Sequence, residues 1–320
     1  MVRLRKPMAM NSRRVRGLAS ASFGVLLFGA LVWFGGAYDV NLAKINLGYA
    51  IACVLIYVLM LLLRAMNLRL ICGTIEAEDS FRNWCRLAAY HQLVFIVAPS
   101  GTGDLAFPAL ARKIVGVDLS KAVGTIVLSR LRDVFAIIGL GAMGFAGSGM
   151  QPLLTAGAAT LAFACLIWTE LAISSILMLL TKILPKVPGA PDLLVKLREA
   201  AQFHSGNRLR HSALSLSIWL CAGTGVWFGF YAAGYPLSLF ECWIMLFFLN
   251  LAGALAVSIA GIGFAEAGVA GALMLFGETA LEAAAVAVVA RPTMLLALII
   301  AAMFLERAHQ FPQLSRAPRP

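Results

Sequence analysis

Six apolar runs, at residues 17–37, 45–63, 122–146, 153–180, 213–233 and 283–305, are each long enough to cross ~30 Å of hydrocarbon as a helix. Runs of that kind leave few folds open, because inside lipid every backbone N–H and C=O must find its partner within the protein. Helices meet that demand within each segment. A closed β-barrel would instead show short stretches of alternating hydrophobicity, which the sequence lacks. Composition agrees: 61% of the 320 residues are hydrophobic and 13% are charged, the latter about half the share of a soluble domain. The sequence predicts an all-α polytopic membrane protein.

Two stretches of the apolar sequence carry the same skeleton. The first is Gly101-Thr102-Gly103, then Gly116, then Arg130; the second is Gly261-Ile262-Gly263, then Gly277, then Arg291. An arginine in hydrocarbon costs roughly 2.5–3.5 kcal/mol even on the mild insertion scale, and such residues commonly mark a pathway or binding site. Two of them at equivalent points of an internal duplication suggest a transporter-like core.

The basic residues set an orientation. The formal charge of +11 is read as the positive-inside rule rather than as a nucleic-acid surface, because Lys and Arg cluster in the loops. Of the 26, only Lys44 falls outside, three (Arg130, Arg132 and Arg291) fall within the membrane, and the rest fall inside. Both termini are then cytoplasmic: residues 1–16 form a basic N-terminus and 306–320 a tail. The first run also reads as a signal peptide, with Arg16 before it and Gly35-Gly36-Ala37 at its end. Under either reading the following chain starts outside.

Two further apolar stretches are broken in the middle. Residues 87–98 are too short to cross and end at Pro99-Ser100-Gly101-Thr102-Gly103-Asp104, with basic residues at both ends of the unit. Residues 239–258 reach Gly261-Ile262-Gly263 with no Lys or Arg on either side. Proline and glycine end helices there. Each stretch is predicted to dip and return, the first from the cytoplasm and the second from outside. The domain at 17–305 thus reads as six full spans plus two re-entrant broken hairpins, eight hydrophobic units. Its inverted-topology repeats cover about 45–146 and 211–305, joined by a linker at 182–210. Leu193, Leu194, Leu197, Ala200 and Ala201 give that linker a surface helix, lying on anionic lipid or simply connecting the halves. In each half the arginine lies nine residues into its span, about 13–14 Å deep.

Arg130 and Asp133 are three apart and share a helix face, so they are expected to pair; Arg132 points away from them, buried or reaching for the surface. Arg291 has no acid nearby in sequence and needs Glu266, Asp104 or an anionic ligand. A guanidinium suits phosphate oxygens by bidentate hydrogen bonding. Asp104 and Glu266, just past each Gly-x-Gly, are expected to cap a half-helix, pair with an arginine across the repeat, or carry a proton. His91 on the first dipping arm is a core histidine or a relay. The spaced glycines 101, 103, 261 and 263 allow close backbone approach to a ligand or to another segment. Together, Arg130, Arg291, Asp104, Glu266 and these four glycines form the candidate headgroup site, with Arg132, Asp133 and His91 as its charge network.

Other signals carry little. Gly139-Leu140-Gly141-Ala142-Met143-Gly144 spells GxGxxG, but late in a span with no strand before it, so small-residue helix packing is the reading. GxxxxGK[ST], HExxH and GxSxG are absent, and the six cysteines and four histidines are scattered. No metal, cofactor, ATP motor or enzymatic apparatus is expected.

The run Pro99–Asp104 with Arg112-Lys113, Gly116-Val117, Ser120, Ala122 and Arg130-Leu131-Arg132-Asp133, followed by Gly261-Ile262-Gly263-Phe264-Ala265-Glu266, Gly277, Ala283 and Arg291, resembles the lysylphosphatidylglycerol synthase transmembrane-region family, the flippase-like membrane proteins. The resemblance spans about residues 15–310. Asp104 and Ser129 stand where that family usually has Glu, and Ala265 often where it has Arg, so a thinner charge network is expected here. In two-part members this region moves an aminoacylated phospholipid across the bilayer, and a separate domain makes that lipid. The resemblance therefore implies the translocase-like half alone. It moves an anionic or zwitterionic phospholipid or isoprenoid-linked lipid between leaflets of a bacterial inner membrane. The alternative is a non-transporting partner or scaffold of an envelope-lipid enzyme (phospholipid, glycolipid or hopanoid); a weaker one is a membrane-embedded transferase using Asp104 or Glu266 as base. Its partners would be membrane lipids and a lipid-modifying enzyme, not nucleic acid.

Overall fold

The computed structural model of the chain describes residues 45–73, 80–97, 102–149, 151–169, 208–255 and 261–307, with the isolated positions Gly29, Trp33, Ser175 and Leu179. Among the described residues all regular structure is helical. The order is α1 (Leu47–Cys72), α2 (Phe81–Val97), α3 (Thr102–Ile114), α4 (Leu119–Gly147), α5 (Pro152–Ile167), α6 (Arg208–Ala232), α7 (Leu239–Leu255), α8 (Phe264–Leu275) and α9 (Ala280–Arg307). Most of the first apolar run, the surface helix expected in the linker, and the tail after 307 lie outside the described residues.

Three helices, α1, α6 from Leu209 and α9, are long and apolar enough to cross a membrane. Their outward faces are apolar as well: Leu47, Ile51, Leu55 and Leu59 form an exposed stripe along α1, and Leu296, Ile300, Met303 and Phe304 a patch on α9. A four-residue spacing keeps the α1 stripe on one side of the helix. Large exposed apolar faces of this kind suit lipid contact. The longest helix, α4, has 29 residues. It carries Lys121, Arg130, Arg132 and Asp133, so apolar composition alone does not mark it as a span.

Several boundaries differ from the sequence reading for local reasons. α1 continues to Cys72, well past the apolar run ending at 63. Neither glycine nor proline intervenes before Gly73, whose left-handed backbone (φ 65°) closes the helix. At the other end Asn46 caps α1, its Oδ1 accepting from the N–H of Gly48 at 3.0 Å and of Tyr49 at 3.3 Å. α7 starts at a reciprocal Ser238–Glu241 capping box, and α9 at the matching Thr279–Glu282 pair. Gly116 and Gly277, the shared glycines of the two skeletons, each lie two residues past a short helix, with φ of 83° and 98°. A side chain there would be strained, so glycine is what lets the chain turn into the long helix that follows.

The helices fall into two sets of four with nearly matched lengths: 26, 17, 13 and 29 residues for α1–α4, and 25, 17, 12 and 28 for α6–α9. Their packing matches too. α1 contacts α9 as α6 contacts α4, α2 contacts α9 as α7 contacts α4, and α2–α3 and α3–α4 correspond to α7–α8 and α8–α9. At the centre α1 and α6 run antiparallel. The Asn46 N–H donates to the Ala232 carbonyl at 2.9 Å, the Cys53 thiol donates to the Gly225 carbonyl at 3.3 Å, and Asn67 Nδ2 donates to Ser215 Oγ at 3.3 Å. Partner numbers fall on one helix as they rise on the other.

The main core gathers Tyr57, Leu61, Ile218, Phe230, Met245, Val269 and Ala287 around that central pair, and a second cluster, with Leu68, Trp84, Leu87 and Phe107, joins α1 to the first broken hairpin. α4 seats on α7 through small residues: a Cβ on Gly141 would lie 2.8 Å from Phe247, and one on Gly144 2.7 Å from the Phe240 carbonyl oxygen. The GxGxxG string is helix packing, as its sequence context predicts. Gly144→Val is expected to cost about 1–3 kcal/mol by forcing this contact apart. Gly157→Ala on α5, where a Cβ meets nothing within 4 Å, should leave the melting temperature in detergent unchanged or raise it.

Candidate functional site

The site grows from α4. A single helical turn carries Arg130 and Asp133, and four other helices bring partners to them. Arg64 of α1 donates from Nη1 to Asp133 Oδ2 at 2.8 Å. Arg130 donates from Nη1 to the same oxygen at 3.2 Å, the predicted i,i+3 pair. Trp219 of α6 donates its indole N–H to Asp133 Oδ1 at 2.7 Å. Both oxygens of a carboxylate that is almost wholly buried are therefore engaged, and one acid ties α1, α4 and α6 together. The Arg64 guanidinium also lies over the Trp219 ring at 5.7 Å.

Asp104, the third residue of α3, completes the network. Arg130 Nε donates to both of its oxygens, at 3.0 and 2.8 Å, and Nη2 donates to Oδ1 at 2.6 Å. Charge-assisted contacts of this forked kind are the strong ones. His91 of α2 is buried with Nε2 3.0 Å from Asp104 Oδ1. A carboxylate only accepts, so the imidazole proton sits on Nε2. The ring of Phe107 meets His91 edge-on at 5.1 Å, and Phe95 lies under the Arg130 guanidinium at 4.9 Å. Two arginines, Arg64 and Arg130, thus face two carboxylates, Asp104 and Asp133, and this charged set is neutral. Asp104 pairs within its own half, not across the repeat.

The matching places in α8 and α9 are arranged differently. Glu266 is the third residue of α8, as Asp104 is of α3; Arg291 is the twelfth of α9, as Arg130 is of α4. Yet Glu266, itself buried, accepts from the Gly263 N–H at 2.6 Å and caps its own helix. Among the described residues Arg291 forms no ion pair and no hydrogen bond, and its Nε is fully shielded with no partner. Glu266 and the buried Tyr57 are the ionisable groups close enough to act on it. α9 runs through Pro292 as one helix.

The remaining predicted residues have distinct placements. Gly103 is buried where α2 and α3 meet; a Cβ there would come within 2.7 Å of the Phe95 backbone. Gly261 and Gly263 form the left-handed turn ahead of α8, with φ of 66° and 85°. Gly101 lies outside the described residues. Arg132 is wholly buried rather than reaching for the surface. Asp104, His91, Arg130 and Asp133 come together; Glu266 and Arg291 neighbour each other without touching.

Arg64 and Trp219 were missed. The sequence reading left Arg64 among the cytoplasmic residues after an apolar run, whereas it lies buried against Asp133. The signal was present: eight residues of unbroken helix-forming sequence follow it before Gly73. Removing Asp133 would strand the buried Arg64 guanidinium and take one partner from Arg130, and losing one partner of a buried pair typically costs about 3–5 kcal/mol. Asp133→Ala is therefore expected to lower the unfolding midpoint in detergent well beyond the Gly144 change, and the isosteric Asp133→Asn to fall between it and wild type.

A helical bundle with lipid-facing apolar surfaces and charges neutralised deep inside is a multi-pass membrane protein. The chain belongs to the lysylphosphatidylglycerol synthase TM region family, whose sequence model matches residues 21–302. It is an integral membrane protein of lipid metabolism or transport. No curated protein and no solved structure matches it.

Proposed function

We propose that the protein is a flippase-like translocase of the bacterial inner membrane, moving a lipid with an anionic or zwitterionic head between leaflets. The matched helix lengths and the antiparallel α1–α6 pair support two inverted repeats, each with two full spans around a broken re-entrant hairpin (α2–α3 and α7–α8). With the apolar runs at 17–37 and 153–180 read from the sequence as two further spans, the reading has six crossings and both termini cytoplasmic. Broken helices from inverted repeats are a recurrent framework for membrane substrate sites.

One observation carries the reading: the half-buried Arg291 guanidinium, its Nε shielded, forms no ion pair or hydrogen bond among the described residues, while its counterpart Arg130 is saturated. An unpaired cation in a membrane span is costly, and a phosphate oxygen from a lipid head would satisfy it with the forked geometry Arg130 already uses on Asp104. The acyl chains remain in lipid while the head passes between the halves. A gradient of the lipid, or of an ion, supplies the energy.

The test is transbilayer movement of fluorescent phosphatidylglycerol in proteoliposomes. Wild-type protein should accelerate it, and Arg291→Ala should reduce the rate at least tenfold with its melting temperature little changed. Wild-type rates in that variant would remove the assigned role and favour the partner-subunit alternative, which tolerates loss of the arginine and is recognised by co-purification with a lipid-modifying enzyme.

A further inference from the structure

Each half holds one carboxylate and one arginine at equivalent helix positions, and the two pairs are in different states. In the first, Asp104 grips Arg130 through three hydrogen bonds of 2.6–3.0 Å. In the second, Glu266 has its Oε2 on the Gly263 N–H at 2.6 Å and leaves Arg291 without an ion pair. The same arrangement of elements therefore accommodates a carboxylate either on its arginine or away from it. Glutamate has one methylene more than aspartate, and the Glu266 carboxylate has a second acceptor, the helix start at Gly263, to rest on when it leaves.

We propose, building on the headgroup reading above, that Asp104 and Glu266 are internal stand-ins for the lipid's phosphate: each occupies its arginine when the headgroup is elsewhere, and the headgroup binds by taking the carboxylate's place. The protein as it stands is plugged in its first half and open in its second, so it presents one anion site, at Arg291. The ligand is a phosphate monoanion or diester able to offer two oxygens to a guanidinium, the same two-oxygen contact that Asp104 makes. The plug also solves release. An anion on an otherwise unpaired arginine would be slow to leave, and Glu266, moving from Gly263 onto Arg291, neutralises the cation as the headgroup departs. The first half is more firmly closed. Its plug has His91 on the same carboxylate, and its arginine has Asp133 as a second partner; in the second half Leu249 and Met294 stand at the matching helix positions.

The test measures binding of inorganic phosphate and of short-chain phosphatidylglycerol, side by side, to purified full-length protein in detergent, and flip rate against lipid concentration in proteoliposomes. Wild type is expected to bind one anion, lost in Arg291→Ala; the lipid titrating at the lower concentration identifies a headgroup rather than free phosphate as the source. Glu266→Gln keeps an acceptor for the Gly263 N–H but cannot compete for Arg291. It should bind measurably tighter, about twofold if the plug occupies the site half of the time. It should also turn over more slowly, so KM and kcat fall together, which a purely structural cap would not produce. Asp104→Asn should open Arg130 and raise the stoichiometry from one to two. Should that variant fail to fold, Glu266→Gln decides alone. Binding and turnover at wild-type values in Glu266→Gln would overturn the stand-in proposal while leaving the Arg291 site intact, whereas a wild-type protein that binds neither probe would overturn both.

Discussion

The neutralisation of Arg64 and Arg130 by Asp133 and Asp104 is the interaction on which the rest of the first half depends. In a bilayer-spanning protein the alternative to pairing is a bare guanidinium in a medium of low dielectric, and hydrophobic burial gives little force between helices already surrounded by hydrocarbon. Directional polar contacts therefore set the register of α1, α3, α4 and α6 where apolar packing would tolerate sliding. Asp133 is placed for this: one oxygen takes two arginines and the other takes an indole, so a shift of α4 loses the bonds to both α1 and α6, and a shift of either of those loses its own. Small residues do the complementary work at the α4–α7 contact, where backbone meets side chain with no room for a Cβ.

The two halves share a frame but not its polar content. Equivalent helices have nearly the same length and the same neighbours, so the frame is carried by turns, caps and helix ends: Gly116 and Gly277, and the short helices that begin two residues before an acid on the matching first turn. On that frame one half carries Arg64, His91 and Asp133, whereas the matching positions of the other are Gly225, Leu249 and Met294. Met294 lies against Gly229, and a Cβ there would come within 2.2 Å of it. An ionic pin on one side thus faces an apolar, more adaptable contact on the other. Under the proposed translocase reading, one more firmly tied set of helices and one looser set would let one move against the other.

Much of this was legible in the residues because membrane sequence is constrained. The apolar runs, the broken hairpins and the two Gly–Arg skeletons follow from hydrogen-bond bookkeeping in lipid, and the Arg130–Asp133 pair follows from helix periodicity alone. What was hidden depends on tertiary contact. Nothing near Arg64 in sequence announces an acid, because Asp133 arrives from a helix 69 positions away; the choice of Glu266 between cap and arginine turns on a single rotatable side chain. The end of α1 was misjudged because hydropathy falls at Arg64 although helix-forming sequence does not stop. A charge inside a continuous helix is better read as a request for a buried partner than as the end of a span.

If Arg291 receives a headgroup, as proposed, the energetics of a single open arginine limit what kind of guest can use it. Placing a guanidinium at depth costs roughly 2.5–3.5 kcal/mol, and an anion about 4 Å away recovers about 4 kcal/mol at the effective dielectric typical of proteins. The two terms are close. A neutral headgroup therefore leaves the cation uncompensated, and a permanent strong counter-ion such as Asp104 on Arg130 removes the driving force for binding. Only a site whose counter-ion is nearby but withdrawn sits near balance, where a headgroup phosphate can enter and leave without a large well or barrier. Glu266 on the Gly263 N–H, beside Arg291 and not touching it, is that arrangement, and the saturated Arg130 shows what the same pair becomes when the balance is tipped.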